Sequence, residues 1–341
     1  MLSHRNLVAN VAQSTGVIGV TSNDTVLAVL PFFHIYGLTV LLNYAVKGRA
    51  TLVTMPRFDL AEFLRIISEN KCSWVFIAPP IAVALAKHPL VDDFDLSSIK
   101  VIFSGAASLD ANLADAVAKR LDCVVRQGYG MTELSPVSHV IPLSVDDISL
   151  SSVGPAIPNM ECRLIDPETG VDIPQPESGT SAPGELLCRG PNVMLGYLGN
   201  EEATNATLES DGWLHTGDIA TVDSNGIYTI VDRLKELIKY KGYQVAPAVL
   251  EAVLLGHPKI ADAAVIGVAD EDAQEIPKAF VVVQAGHELS AQEVMDFVAS
   301  KVAPHEKVRR VEFVETIPKS GTGKILRKDL RAREQEIAPK P

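Results

Sequence analysis

Asp232-Arg233-Leu234-Lys235-Glu236-Leu237-Ile238-Lys239-Tyr240-Lys241-Gly242-Tyr243-Gln244-Val245-Ala246-Pro247 is the stretch around which the rest of the chain is organised. Arg233, Lys235, Lys239 and Lys241 concentrate positive charge there, in a chain whose formal net charge is −12. Two periodicities overlap in it. Lys235 and Lys239 stand at helical i, i+4 spacing, whereas Lys239, Lys241 and Tyr243 alternate at strand spacing with Gly242 breaking the run. On either reading one face collects cations beside a turn, an arrangement suited to anionic phosphate. The plain alternative is a solvated basic turn.

Three other stretches keep it company: Gln127-Gly128-Tyr129-Gly130-Met131-Thr132-Glu133, Gly212-Trp213-Leu214-His215-Thr216-Gly217-Asp218, and Lys319-Ser320-Gly321-Thr322-Gly323-Lys324-Ile325-Leu326-Arg327-Lys328. In this order and spacing the four stretches resemble the adenylate-forming (acyl-CoA synthetase, AMP-binding) enzymes, and within them the 4-coumarate:CoA ligases and beetle luciferases. Each motif is moderately specific. Four in register, over practically the whole chain, are a strong signal.

At 341 residues, 47% of them hydrophobic, the chain can bury a large core and should divide into at least two domains. Its acidity argues against a sequence-independent nucleic-acid binder, because such affinity comes mainly from neutralising phosphates. Phosphorylated small molecules stay compatible when positive charge is focused locally. Cys72, Cys123, Cys162 and Cys188 are scattered, with neither a Cys-x-x-Cys pair nor zinc spacing, which is consistent with a reduced, cytoplasmic chain. No apolar run near Met1 reads as a signal sequence. Val26 to Val46 lacks Asp, Glu, Lys and Arg, but Pro31, His34, Gly37 and Asn43 interrupt it. A buried strand, a turn and a core helix account for it better than a membrane span.

The fold class expected is α/β: a partial doubly wound parallel sheet over 1–140, a small antiparallel, barrel-like β region over 141–232, and a smaller α+β lid domain over 233–341. Ser3 caps a helix with Leu7, Val8, Val11 and Ala12 on its apolar stripe. Strands are expected at Thr25 to Leu30, Trp74 to Ala78, Lys100 to Phe103 and Cys123 to Arg126. They alternate with helices starting at Asp59, Ile81 and Asp110, as a parallel sheet covered on both faces requires. From Ile141 to Asp223 short apolar runs separated by Pro and Gly suggest small antiparallel strands. Beyond Arg233, Pro247 opens a helix with Val249, Leu250, Val253 and Leu254 inward. Strands at Ala263 to Val268, Ala279 to Val283 and Val311 to Val314 flank a helix capped by Ser290 and Glu293. The tail after Arg333 reads as loose.

Gln127 to Glu133 follows a predicted parallel strand, and ligands of open α/β sheets bind at carboxyl ends of strands. Gly128 and Gly130 allow close backbone approach, Thr132 offers a hydroxyl to phosphate, and Glu133 offers a hard oxygen to Mg²⁺. A tight turn with a solvated acid has the same signature. Asp218 suits a vicinal ribose diol, with Arg233 beside the same nucleotide, although an Asp after Gly217 can also simply cap a turn. Joining a carboxylate to the α-phosphate of ATP forces two anions together, and a mobile ammonium at Lys324 would lower that barrier. A Walker A loop is ruled out, because Pro318 and Ile325 stand where it needs Gly and Ser or Thr. Absent its company, Lys324 would pass for an ordinary exposed lysine, and His34 for a hydrogen-bonded core histidine.

The resemblance implies roles residue by residue. Gln127, Gly128 and Thr132 would line the adenylate site together with Lys239 and Gln244, with Glu133 on the metal. His34 would border the acyl pocket and thiol tunnel, with Tyr36, Ala106 and Val140 extending the pocket. Arg57, Lys241 and Gly242 would meet CoA, and Lys235 would be the pivot of the lid. It implies an acid:CoA ligase using ATP, Mg²⁺ and coenzyme A on an aryl or arylpropenoic carboxylate such as 4-coumarate. A fatty-acyl-CoA ligase, a luciferase-like monooxygenase and a truncated non-catalytic relic are the alternatives. The family's Ser/Thr/Gly-rich phosphate loop and flanking N-terminal strands are not found ahead of Ser3, so the chain as given is expected to bind adenylate weakly and turn over slowly or not at all.

Overall fold

A computed structural model describes residues 1–106, 109–145, 147–270, 272–320 and 323–337. Ala107, Gly321 and Thr322 lie outside them. The chain parts into two compact units, Met1–Thr216 with Ala220–Ile230, and Gly217–Ile219 with Val231–Pro341.

In the first unit, α1 (His4–Ile18) precedes β1 (Thr25–Ala28), a π-helix (Tyr36–Asn43), α2 (Tyr44–Gly48), β2 (Thr51–Thr54), α3 (Leu60–Asn70), β3 (Trp74–Ile77), α4 (Pro79–Lys87), β4 (Val101–Ser104), α5 (Ala111–Leu121), β5 (Val124–Gly130) and β6 (Val137–Val140). The strands lie in the order β2-β1-β3-β4-β5-β6. Pairing is parallel from β2 to β5 and antiparallel between β5 and β6. Buried runs such as Trp74–Ile77 and Val101–Ser104 show why sequence patterning works here: a sheet covered on both faces needs apolar residues at every position. Helix α3 is equally direct. Asp59 accepts from the Glu62 N–H, and Phe63, Leu64, Ile66 and Ile67 are buried.

Helix α1 reverses its expected polarity. Ser3 caps it, but the buried residues are Asn6, Asn10, Gln13, Ser14 and Ile18, while Val8 is 67% exposed. The neighbours are backbone segments that need partners. Asn6 donates to the Pro191 and Val193 carbonyls, Gln13 to Pro158, and Asn10 both donates to the Val137 carbonyl and accepts from the Val137 N–H.

After β6 come β7 (Glu161–Ile165), β8 (Asp172–Ile173), β9 (Gly184–Arg189), α6 (Glu201–Thr207), β10 (Leu214–Val222) and β11 (Tyr228–Arg233). They form the expected second, β-rich layer in the order β11-β10-β9-β7-β8, with β7 antiparallel to β8 and β9.

The second unit contains β12 (Ile238–Tyr240), β13 (Tyr243–Val245), α7 (Pro247–Leu255), β14 (Ile260–Asp270), β15 (Gln274–Val283), α8 (Ala291–Ala299), β16 (Arg310–Phe313) and α9 (Arg327–Ile337). Its sheet runs β13-β12-β15-β14, with β16 parallel to β15. Alternation sorts the two cores. Ala263, Val265, Ala279 and Val281 join Leu250, Leu254, Val294 and Val298, whereas Ala264, Ile266 and Phe280 join Leu330 on the other face. Two details differ from expectation. Val249 is 39% exposed while Glu251 is buried, and α9 carries the backbone on to Ile337.

The central cationic stretch is a hairpin, not a helix. Ile238–Tyr240 pairs with Tyr243–Val245, and Lys241 (φ 49°) and Gly242 (φ 84°) make the two-residue turn. Two consecutive positive φ angles match the twist of a tight hairpin, and Gly adopts them without strain. Lys235 and Lys239 therefore share no helical face, and the alternation of Lys239, Lys241 and Tyr243 is cut by the reversal.

Candidate functional site

In the first unit the sequence-selected residues gather at the carboxyl edge of the parallel sheet. Arg57 follows β2, His34 follows β1, Ala106 follows β4, and Gln127 is the last residue of β5 in parallel register. The strand does not stop there as expected. It continues through Gly130, with Gly128 opposite Val140 and Tyr129 opposite His139 in antiparallel register with β6. A Cβ on Gly130 would stand 2.1 Å from the Pro136 carbonyl oxygen, and one on Gly128 2.8 Å from that of His139. These glycines are thus imposed by strand contact.

Several side chains are engaged in holding the edge together. Gln127 is buried, accepts from the Leu109 N–H at 3.1 Å and donates to the Leu150 carbonyl. Tyr36 donates to the Ile77 and Phe103 carbonyls at 3.4 and 3.3 Å. Burial, with Tyr44 beside it, drives its phenol far above the ordinary range. Its ring lies where a Cβ on Gly105 would be, 2.8 Å from Cε1, which explains the Gly before Ala106 (φ 72°). His34 Nδ1 accepts from the Tyr36 N–H. Val140 is buried. Thr132 and Glu133 sit in a 3₁₀ turn, Thr132 exposed and Glu133 accepting from the Tyr197 hydroxyl at 2.8 Å. Tyr197 carried no signal in the sequence.

Among the described residues no group of three or more His, Cys, Asp or Glu is placed to hold a metal. A lone Glu133 carboxylate suits Mg²⁺ that arrives already ligated by nucleotide phosphates, since this ion keeps few protein ligands.

In the second unit Asp218, 4% exposed, pairs with Arg233 Nε at 3.2 Å. Gly217 (φ 68°) accepts from the Leu234 N–H at 2.8 Å, tying the start of the cationic stretch to Asp218. Lys324 belongs to the same unit. Its loop is closed by the Ser320 N–H donating to the Lys324 carbonyl at 2.8 Å and the Lys324 N–H donating to Ser320 Oγ at 3.2 Å. Loss of surrounding water, then repulsion from Arg233, lowers the Lys324 ammonium below its ordinary value. Arg327 adds to this, while Asp218 and Glu236 oppose it. The side chain as a whole is exposed, so solvent screens these interactions.

A network that sequence reasoning passed over lies beneath the loop. Arg327 donates to Glu251 Oε2 at 2.7 Å and to the Val265 carbonyl at 3.3 Å. Asp232 accepts from the Ala248 and Arg233 N–H groups at 2.8 and 2.7 Å, and Arg331 pairs with Glu236. Burial pushes the Glu251 carboxyl up to about 7 despite Arg327, and raises Asp232 as well. On the hairpin, Lys239 faces Gln244 across the ladder, and Lys241 and Gly242 form its tip. Arg309 covers Tyr240 at 3.7 Å, and His305 stacks on Tyr243 at 4.4 Å. Lys235 is exposed in the turn between β11 and β12.

Residues 1–198 match the model of the AMP-binding enzyme family, and residues 249–324 match that of the AMP-binding enzyme C-terminal domain. The chain belongs to the AMP-binding enzyme family. This AMP-binding chain is 47% identical to 4-coumarate-CoA ligase 1 of Solanum tuberosum, over 98% of its own length and 62% of that protein. It is 46% identical to probable 4-coumarate-CoA ligase 1 of Dictyostelium discoideum, over 97% and 60%. ATP-bound MatB from Rhodopseudomonas palustris shares the fold with a TM-score of 0.89 at 28% identity, over 99% of this chain and 65% of that one. The anthranilate CoA ligase AuaEII in complex with anthranoyl-AMP does so with a TM-score of 0.89 at 27% identity, over 97% and 64%. The AMP-binding chain thus spans under two thirds of the length of each of these relatives. Among its described residues no helix is long and apolar enough to cross a membrane.

Proposed function

We propose that this chain carries the adenylate and thioester machinery of an acid:CoA ligase of the 4-coumarate type. An arylpropenoic carboxylate attacks the α-phosphate of ATP, pyrophosphate leaves, and CoA then displaces AMP to form the thioester. The observation that carries this reading is that Lys324 shares one compact unit with Asp218 and Arg233, which pair at 3.2 Å. Asp218 and Arg233 hold the ribose, and Lys324 bridges carboxylate and phosphate as charge builds between them.

Gln127, Gly128 and Thr132 receive the nucleotide with Lys239 and Gln244, while Glu133 holds Mg²⁺, which shields phosphate charge. His34, Tyr36, Ala106 and Val140 shape the acyl pocket, and Arg57, Lys241 and Gly242 receive CoA. Both the Lys324 loop and the Lys239–Gln244 hairpin follow Lys235 in the chain, and the part of the second unit beyond Lys235 serves as a lid pivoting there, so that lysine and thiol act in turn while Asp218 and Arg233 keep the ribose. The 47% identity to a protein named 4-coumarate-CoA ligase supports the choice of acid.

The test is ATP-pyrophosphate exchange and thioester formation with a panel of cinnamic, benzoic and fatty acids. A preference for the 4-hydroxycinnamic acid is expected. A preference for a long-chain fatty acid would replace the substrate, and binding of an acyl-adenylate mimic without exchange with any acid would remove the activity from this chain.

A further inference from the structure

The β7/β9 ladder sets Cys162 directly opposite Cys188, two cysteines that look unrelated in the sequence. Their sulfurs stand 3.8 Å apart, neither is bonded in a disulfide, and the Nε2 of buried His139 lies 3.5 Å from the Cys162 sulfur. The imidazole packs between Tyr129 and Tyr228, at ring separations of 5.9 and 4.7 Å, which fixes its position against the thiol. We propose that Cys162 and Cys188 form an oxidant-sensitive dithiol, a modification site at which hydrogen peroxide converts the pair into a cross-strand disulfide.

The backbone already permits the bond. Directly opposite residues of an antiparallel pair lie about 4.5–5.5 Å apart at Cα, within the window a disulfide spans. The sulfurs close to about 2.05 Å by side-chain rotation. Cys162 is the attacking sulfur, because it is half-buried while Cys188 is fully buried. The hydrogen bond with Cys188 and the neighbouring imidazole hold the Cys162 thiol well below its ordinary value, against burial. Elsewhere burial acts unopposed, pushing Cys72 up to about 11 and, with Asp122, Cys123 up to about 12. The thiolate is the nucleophile, so oxidation starts at Cys162.

The steps balance. The Cys162 thiolate attacks one peroxide oxygen, the O–O bond breaks, and a sulfenic acid forms as hydroxide, protonated to water, leaves. The Cys188 sulfur attacks the sulfenyl sulfur, the S–O bond breaks and a second water departs. Two thiols lose two electrons and two protons, and the peroxide is reduced to water. His139 stands opposite Tyr129 on the strand that carries Gln127 and Gly128, so one imidazole links the dithiol to a strand of the proposed site. The chemistry itself does not depend on that function.

The test treats the full chain with hydrogen peroxide, alkylates it under denaturing conditions, and reads the intact mass and the proteolytic peptides. The expected result is a loss of two hydrogens, protection of Cys162 and Cys188 from alkylation together, a peptide joining them that dithiothreitol separates, and retained alkylation of Cys72 and Cys123. In Cys188→Ser a dimedone-reactive sulfenic acid should persist at Cys162. If that variant fails to fold, the mapping on the unmodified sequence decides alone. Oxidation beginning at Cys72 or Cys123, or over-oxidation of Cys162 with no crosslink, would overturn the proposal.

Discussion

Arg327 Nη2 lies 2.7 Å from Glu251 Oε2, with side-chain exposures of 12% and 10%, so the residue that starts α9 is bolted to the middle of α7. Removing one partner of a buried pair leaves an uncompensated charge, which costs about 3–5 kcal/mol. Arg327→Met should therefore lower the stability of the second unit by that order at pH 8, measured by denaturant unfolding. The loss should shrink toward pH 5, where Glu251 takes up a proton. An equal loss at both pH values would mean the pair is not carrying the effect.

Glu251 also sets a pH dependence in the unaltered protein. Its carboxyl titrates near 4.5 in ordinary surroundings and near 7 when folded. Between these values the native state binds more protons than the unfolded one, so this group's contribution is fully present at the low end and is lost as pH rises through about 7. Glu251→Gln should remove that part of the slope of unfolding free energy against pH. Parallel curves for the two proteins between pH 5 and 8 would show that Glu251 is ionised throughout.

Whatever ATP-pyrophosphate exchange the protein supports, Lys324→Ala should depress it by about 10²–10³, the scale of losing one preorganised electrostatic contact in the transition state. Thioester formation from preformed acyl-adenylate should be spared, and the melting temperature should hold because the side chain is exposed. Equal loss in both half-reactions would remove the assigned role.

The reversed polarity of α1 predicts an inverted mutational pattern. Asn10→Leu, though more apolar, removes the side-chain acceptor of the Val137 N–H and one of two donors to the Val137 carbonyl, the other being Asn192, and should cost about 1–3 kcal/mol. Val8→Ser, on the exposed side, should stay within about 0.5 kcal/mol. A destabilising Val8→Ser paired with a neutral Asn10→Leu would contradict the packing described.

Gly130→Ala should destabilise the β5/β6 pairing by about 1–3 kcal/mol or more, because the new methyl would have to displace the Pro136 backbone. Gly16→Ala, where no heavy atom lies within 4 Å of the added carbon and φ is likewise not positive, lacks the clash, so the difference between the two variants isolates it. Equal effects would place the cost of Gly130→Ala in backbone freedom and not in the clash.

Much of the fold was legible because local chemistry and burial agree. The caps at Asp59 and Ser290, the wholly apolar strands at Trp74 and Val101, and the alternation at Ala263 to Val268 each state their environment within a few residues. Legibility failed where a polar residue is buried by a partner distant in sequence. Asn10 meets Val137, and Glu251 meets Arg327. Gln127, selected for a ligand, spends its amide on Leu109 and Leu150. It failed again in the cationic stretch, where Lys235 and Lys239 satisfy a helical spacing that Lys241 and Gly242 overrule by reversing the chain.

By itself the sequence determined the order of strands and helices, the four stretches that carry the family, and the identity of the charged groups, because side-chain type and short-range periodicity are local properties. Tertiary structure alone decided that Asp218, Arg233 and Lys324 share one unit, that Cys162 faces Cys188, and that Glu251 is held near neutrality. Proximity and desolvation are set by which distant segments pack together, and no window of neighbouring residues contains them.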